Sequence, residues 1–112
     1  EELPFGNYEF DAILYLDVIE HLVDPSQSLK EAHRCLKSDG FVIILVVLEH
    51  HPLFRIIWWL WLKLKGKVWH EAHLHIFTKK SLKELLEKEN FIIDDFRTLH
   101  AGMSVIAKAR KK

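Results

Sequence analysis

Apolar residues occur in short runs along the chain, and the spacing within each run predicts its secondary structure. Residues 10–16 and 41–48 are apolar at nearly every position, which is typical of strands buried in a parallel sheet. Residues 91–96 and 104–109 are predicted to form two closing strands, joined by a hairpin near Ala101-Gly102. The chain therefore has four predicted strands.

A helix is predicted between the first two strands. Asp24 can cap its first turn, and Pro25 fits the first helical position. Its apolar stripe consists of Leu29, Ala32, Cys35 and Leu36, and the side chains expected to face water are Lys30, Glu31, Arg34 and Lys37. We expect Gly40 to end this helix.

A second helix is predicted after Thr78, which can cap it, with Leu82, Leu85 and Leu86 facing inward and Asn90 at its end. The predicted order is strand, helix, strand, insert, helix, strand, strand. Strands that alternate with helices predict an α/β fold, a parallel sheet with helices on its faces, and the final short connection predicts an antiparallel hairpin at its edge.

The insert, residues 49–75, is unusually aromatic. Residues 53–64 contain three of the four tryptophans and two charges, so a helix here would be apolar on nearly every side and would need a cover. A missing part of the protein, a second copy or a membrane interface could supply it. The run is shorter than the roughly 20 apolar residues of a membrane span, but Arg55, Lys63, Lys65 and Lys67 would suit anionic headgroups.

Composition narrows the class of protein. The chain has 112 residues, enough for one domain, and its 16 basic and 16 acidic residues balance, which gives no reason to expect nucleic-acid binding. Cys35 is the only cysteine, so an internal disulfide is excluded, and no signal peptide opens the chain. We therefore expect a cytoplasmic protein. Because Glu1 is not Met, we also expect the sequence to begin inside a longer reading frame, or after processing or truncation.

Short motifs follow one another in a fixed order. They are Leu3-Pro4-Phe5, Phe10-Asp11, Glu20-His21-Leu22, Asp24-Pro25, Arg34-Cys35-Leu36-Lys37, Gly40 and His75-Ile76-Phe77-Thr78. In this order they resemble the class I methyltransferases that use S-adenosylmethionine, in the type 11-like branch. The family usually has glycine where this chain has Asn90. The resemblance implies a Rossmann-like sheet, here strands equivalent to the fourth to seventh of the family.

In that family a glycine-rich turn and an acidic residue hold much of the cofactor, but the four glycines here are widely scattered. The resemblance therefore implies a single partial domain over residues 1–112, the carboxyl-terminal half. It implies cofactor contacts from Leu3, Leu16 and Asp17, with Asp17 nearest the methionine end. We expect this chain by itself to bind the cofactor weakly or not at all.

Asp17, Glu20 and His21 could share one face if a helical turn begins after Leu16. Two carboxylates and an imidazole suit Mg²⁺ or Mn²⁺, or a base for a substrate hydroxyl. The spacing resembles two metal-using branches, the ubiquinone-pathway O-methyltransferases and the enzymes that methylate the 2′-hydroxyl of small RNAs. The RNA branch implies a fourth ligand at His73. The alternatives are a pocket-lining pair without metal and a structural role.

The resemblance implies methyl transfer from S-adenosylmethionine to a small-molecule acceptor. Glu20 and His21 would orient or deprotonate that acceptor, and the aromatic insert would form a lid suited to a large apolar acceptor. The alternative is a catalytically inactive remnant that serves as an oligomerisation or partner-binding module, because its first strand would lack a neighbour. A homo-oligomer or a missing amino-terminal half would cover that edge. Peripheral membrane contact is the third hypothesis.

Overall fold

The computed structural model describes residues 2–48, 52–65 and 77–112. Its elements, in chain order, are β1 (Phe10–Leu16), a 3₁₀ turn (Ile19–His21), α1 (Pro25–Cys35), β2 (Leu36–Val47), α2 (Pro52–Lys65), α3 (Lys79–Lys88), β3 (Phe91–Leu99) and β4 (Ser104–Lys111). The predicted order of strands and helices is confirmed.

The four strands form one mixed sheet in the order β1-β2-β4-β3. β1 runs parallel to β2, and β4 runs antiparallel to both β2 and β3. The predicted parallel pair and antiparallel edge hairpin are therefore confirmed. Because β1 and β2 are parallel, their carboxyl ends lie at the same edge of the sheet, and the β3–β4 turn joins them there.

One face of the sheet carries the core. Val42, Ile44 and Val46 of β2 are fully buried. They belong to a cluster with the inward residues of the two flanking helices, which are Leu29 and Ala32 of α1 and Leu82 and Leu86 of α3. Alternate residues of a strand point to opposite faces, so the pattern in β2 assigns α1 and α3 to the same side of the sheet.

The opposite face is open. Leu14 and Leu16 of β1 are 56% and 52% exposed, and they pair with Ile43 and Leu45 of β2, which are half-buried. The prediction that β1 is a buried strand is therefore wrong for this face. Parallel strands carry apolar residues on both sides because both sides are normally covered, and the described residues cover one.

Both predicted helix starts are confirmed. The Asp24 carboxylate accepts a hydrogen bond from the Gln27 N–H at 3.0 Å, with Pro25 in the first turn. The Thr78 hydroxyl accepts from the Ser81 N–H at 3.1 Å, and Ser81 Oγ accepts from the Thr78 N–H at 2.8 Å. This reciprocal capping satisfies donors that a helix start would otherwise leave open.

The end of α1 differs from the prediction. The helix ends at Cys35, and Leu36 is already extended (φ −78°, ψ 143°). Leu36 pairs with Phe10, and the next register pair is Phe41 with Ala12, so residues 37–40 bulge out of β2. Gly40 therefore lies inside this irregular strand, where a Cβ would be 3.0 Å from both the Leu36 Cβ and the Lys37 carbonyl oxygen. Close packing, rather than helix termination, requires the glycine.

Glu31 and Arg34 hold the amino-terminal segment against α1. Arg34 donates two hydrogen bonds to the Glu31 carboxylate, at 2.9 and 3.0 Å. The same guanidinium donates to the carbonyl oxygens of Phe5 at 2.9 Å and Leu3 at 3.2 Å, and the Leu3 N–H donates to Glu31 at 3.0 Å. The prediction that Glu31 faces water is therefore wrong, since Glu31 is only 8% exposed, whereas the Arg34 side chain stays 31% exposed.

The helix of the aromatic insert presents apolar side chains to solvent. Its exposed large residues are Leu53, Ile56, Ile57, Trp59, Leu60 and Trp61, and Lys63 Nζ lies 4.1 Å from the centre of the Trp59 ring. A helix is confirmed within the insert. None of the helices in residues 2–48, 52–65 and 77–112 has the combined length and apolar character needed to cross a membrane.

Gly40→Ala should lower the free energy of unfolding by about 1–3 kcal/mol, the usual range for overpacking a buried site. The new methyl group would press on Leu36 and on backbone at 3.0 Å. Gly6→Ala is the control, because its methyl would meet the end of the Glu9 side chain, Oε1 at 2.8 Å, which can rotate away. Urea denaturation measures both variants, and equal losses would contradict the packing argument.

A second prediction concerns the Glu31–Arg34 pair and the pH dependence of the free energy of unfolding. The hydrogen bond from Arg34, with a further one from the Leu3 N–H, holds the pKa of Glu31 below its ordinary value of 4.5. A carboxyl whose pKa is lowered on folding contributes stability that is complete above that ordinary value and is lost as pH falls through the folded one. The difference in unfolding free energy between the wild type and Glu31→Gln should therefore be constant above about pH 4.5 and shrink as the pH falls further, towards the lowered pKa of the folded state.

Denaturation of both proteins between pH 7 and pH 3 checks this. Glu84→Gln is the control, because Glu84 is exposed and its Lys80 partner is 3.9 Å away, and such surface pairs contribute little. A gap between wild type and Glu31→Gln that stays constant down to pH 3 would refute the assigned role of the pair.

Candidate functional site

The carboxyl edge of the sheet brings together residues that are distant in sequence. In open α/β sheets ligands bind outside the carboxyl ends of the strands. Asp17 follows β1 directly, and its N–H donates to the Leu45 carbonyl oxygen of β2 at 3.0 Å. Its backbone is left-handed (φ 55°), a conformation that aspartate tolerates better than most residues. The exposed Asp17 side chain is thus placed at the edge predicted for the site.

The 3₁₀ turn after Asp17 gives the three candidate residues different degrees of burial. It comprises Ile19–His21 and begins two residues beyond the left-handed Asp17, so Asp17 does not lie on a helical face with the other two. Glu20 is 4% exposed, and His21 is half-buried. The structure therefore presents Asp17 to solvent and draws Glu20 into the protein.

A metal site is not supported by the described residues. Within residues 2–48, 52–65 and 77–112 no three His, Cys, Asp or Glu side chains are grouped closely enough to hold a metal ion. Asp17, Glu20 and His21 are consequently not assembled as a ligand set. The fourth predicted ligand, His73, lies outside the described residues.

A cavity of about 330 Å³ opens beside Asp17. Its lining residues are Asp17, Leu45, Val47, Ile57, His100, Met103 and Ser104. They come from the carboxyl ends of β1 and β2, from α2, and from the β3–β4 turn with the start of β4. Glu20 and His21 are not among the lining residues, so Asp17 is the predicted site residue that lines the cavity within residues 2–48, 52–65 and 77–112.

The β3–β4 turn contributes the polar wall that the sequence did not reveal. The Nδ1 of His100 lies 3.2 Å from the Oγ of Ser104, which is 7% exposed. The turn is fixed by hydrogen bonds from the Gly102 N–H to the Leu99 carbonyl and from the Met103 N–H to the His100 carbonyl, both at 3.1 Å. The signal available in the sequence was a histidine beside the predicted hairpin turn.

The turn is also tied to β2. The Leu48 N–H donates to the Met103 carbonyl oxygen at 2.6 Å. Since β4 pairs with β2 up to Val47 and Ser104, the turn cannot move far from the carboxyl end of β2. The cavity is therefore bounded by backbone that the sheet itself holds in place.

Leu16 and Leu3, the other predicted contact residues, lie in different places. Leu16 pairs with Leu45, so it shares the open face with a residue that lines the cavity. Leu3 is bound by Glu31 and Arg34, just before β2 begins, and is not among the cavity residues. Leu16 therefore lies beside the cavity, whereas Leu3 lies towards the other end of the strands.

Comparison with known proteins identifies the family. The sequence model of the methyltransferase domain matches residues 1–95. A ubiquinone/menaquinone biosynthesis C-methyltransferase (UbiE) of Geotalea uraniireducens is 44% identical over 45 residues, which cover 40% of this chain and 19% of that relative.

Solved structures agree on the fold. An S-adenosylmethionine-dependent methyltransferase from Thermotoga maritima, described as a possible histamine N-methyltransferase, is 25% identical with a TM-score of 0.78. The match covers 99% of this chain and 60% of that one. The 1,6-didemethyltoxoflavin-N1-methyltransferase of Burkholderia thailandensis, with bound 1,6-didemethyltoxoflavin and S-adenosylhomocysteine, is 23% identical with a TM-score of 0.71, over 96% of this chain and 46% of that one.

The predicted resemblance is thereby confirmed, both by the sequence match and by the similarity of the fold. The chain spans about 60% of the Thermotoga chain that it matches. With a domain match over residues 1–95 and an α/β sheet of the same architecture, this chain belongs to the methyltransferase domain family.

Proposed function

We propose that the protein transfers a methyl group from S-adenosylmethionine to a small-molecule acceptor at the carboxyl edge of the sheet. The observation that carries the proposal is the cavity beside Asp17, at the edge where α/β sheets bind ligands. The relatives' names support a small-molecule acceptor, since one acts in quinone biosynthesis and another binds didemethyltoxoflavin. Catalysis would come chiefly from holding donor and acceptor in line.

The exposed carboxylate of Asp17 fits the methionine end of the cofactor, which carries an ammonium group. Bound there, the cofactor would supply an electrophilic methyl on a sulfonium. Leu16 and Leu45 provide an apolar surface next to that carboxylate. The four glycines are scattered and form no glycine-rich turn, so the contacts proposed here are limited to the methionine end of the cofactor.

Glu20 and His21 have different roles in the proposed function. His21 is half-buried and does not line the cavity, so it would influence the acceptor through the turn between β1 and α1 and not by direct contact. Glu20, at 4% exposure, would act by fixing the turn between β1 and α1. Leu3 would affect cofactor binding indirectly, through the amino-terminal segment that Arg34 holds against α1.

A partner-binding module without catalysis is the competing function. The open face with Leu14 and Leu16 exposed favours it, because such a surface suits contact with another protein or a second copy. Cofactor binding separates the two functions, since a module of this kind has no need of a cofactor pocket.

Titration calorimetry with S-adenosylhomocysteine tests the proposal on the protein expressed from its complete reading frame. Asp17→Asn, which tolerates the left-handed backbone, should weaken binding by about tenfold through loss of one charge-assisted contact. Asp11→Asn is the control, because Asp11 is 82% exposed at the opposite end of β1. Wild-type protein that fails to bind would favour the partner-binding module, and Asp17→Asn with unchanged affinity would exclude the role of Asp17.

The lid role of the aromatic insert makes a separate prediction. Ile57 of α2 lines the cavity, whereas Leu60 of the same helix is similarly exposed and does not. Ile57→Ala should raise the acceptor's KM several-fold and leave kcat unchanged, because it removes binding common to ground and transition states. Steady-state kinetics with the matched variant Leu60→Ala provide the comparison, and identical KM values for the two variants would argue against a lid.

A further inference from the structure

The polar wall of the cavity lies in the β3–β4 turn. His100 and Ser104 face it together, while Leu45, Val47, Ile57 and Met103 form the apolar remainder. Asp17 stands on the β1 side. A ligand that fits this lining has an apolar body and one polar group that meets the imidazole.

Ser104 fixes the imidazole. Its side chain is 7% exposed at the first residue of β4, where it is held by pairing with Val47 and Leu99. When Ser104 Oγ accepts the Nδ1–H of His100, at 3.2 Å, the Nε2 of the neutral ring keeps its lone pair. Such a nitrogen can accept a hydrogen bond, and then a proton, from a ligand hydroxyl.

The backbone conformation of the turn supports a functional role for His100. His100 (φ 53°) and Ala101 (φ 56°) are both left-handed, a conformation that costs about 1–3 kcal/mol at a non-glycine residue. The hydrogen bonds of Gly102, Met103 and Leu48 hold the turn in that form. The imidazole is thereby presented at the cavity by a backbone that has little freedom.

The size and lining limit the ligand. At about 330 Å³ the cavity lies near the lower end of small-molecule sites. A charged acceptor would lose hydration against Leu45, Val47 and Met103, which is unfavourable. A flat ring with one hydroxyl would bury its ring on these side chains and donate its proton to the imidazole.

We infer that this cavity is the acceptor site and that His100, positioned by Ser104, binds and deprotonates a phenolic or enolic hydroxyl of the acceptor. The inference rests on the proposed function. The hydroxyl proton passes to Nε2 as an oxygen lone pair forms the bond to the donor's methyl carbon. The carbon–sulfur bonding pair returns to sulfur, and the imidazolium then releases its proton to water, so charge and atoms balance.

Binding of 2-naphthol tests the inference by calorimetry, with the protein from its complete reading frame saturated with S-adenosylhomocysteine. His100→Asn, which keeps a residue tolerant of the left-handed backbone, should weaken 2-naphthol binding by about five- to tenfold, the effect of one hydrogen bond. Ser104→Ala should weaken it less, because the ring remains but loses its orientation. Ala101→Gly keeps both polar side chains but gives the turn backbone more freedom, so it should weaken binding less than His100→Asn.

The methyl ether 2-methoxynaphthalene separates the hydroxyl from the ring. It has no proton to donate, so wild type and His100→Asn should bind it equally. Equal 2-naphthol affinities in wild type and His100→Asn, or wild-type protein that does not bind 2-naphthol, would overturn the inference and leave the proposed function standing. Failure of wild-type protein to bind S-adenosylhomocysteine would overturn both.

Discussion

The position of β2 between β1 and β4 is the constraint on which the rest of the structure depends. Val42, Ile44 and Val46 are fully buried, and burying such side chains contributes about 1.5–3 kcal/mol each. These side chains pack against α1 and α3, which lie on one face of the sheet. The pairing of β2 with β1 brings Asp17 to the carboxyl edge, and its pairing with β4 brings His100 there. The site is thus a consequence of strand pairing.

Local signals predicted most elements of the fold but not how they end or what they contact. The β-branched runs and the caps at Asp24 and Thr78 act over a few residues, so a sequence reveals them. Leu36 has the spacing of the predicted helical stripe, but it is buried as the first residue of β2, which is why the predicted helix ran too far. The contact between Leu3 and Glu31 spans 28 residues, and no periodicity encodes it.

Some residues of the candidate site could likewise be predicted from the sequence, and others could not. Asp17 could be predicted because it follows an apolar run that ends at the sheet edge. His100 could not, because its hairpin was visible but its place beside Asp17 depends on β4 pairing with β2. The common helical face expected for Asp17, Glu20 and His21 assumed α-helical geometry, whereas the left-handed Asp17 precedes a 3₁₀ turn.

The cavity is bordered both by strained backbone and by the open face of the sheet. Of the five left-handed non-glycine residues in the described ranges, Asp17 and His100 line it and Ala101 adjoins it. Strain of this kind persists where the surrounding structure holds it, commonly at functional sites. Leu45 and Val47 line the cavity and also belong to the face that carries exposed Leu14 and Leu16. A segment or partner that covered this face would therefore also close the cavity over its ligand, which links the apolar surface to the proposed chemistry.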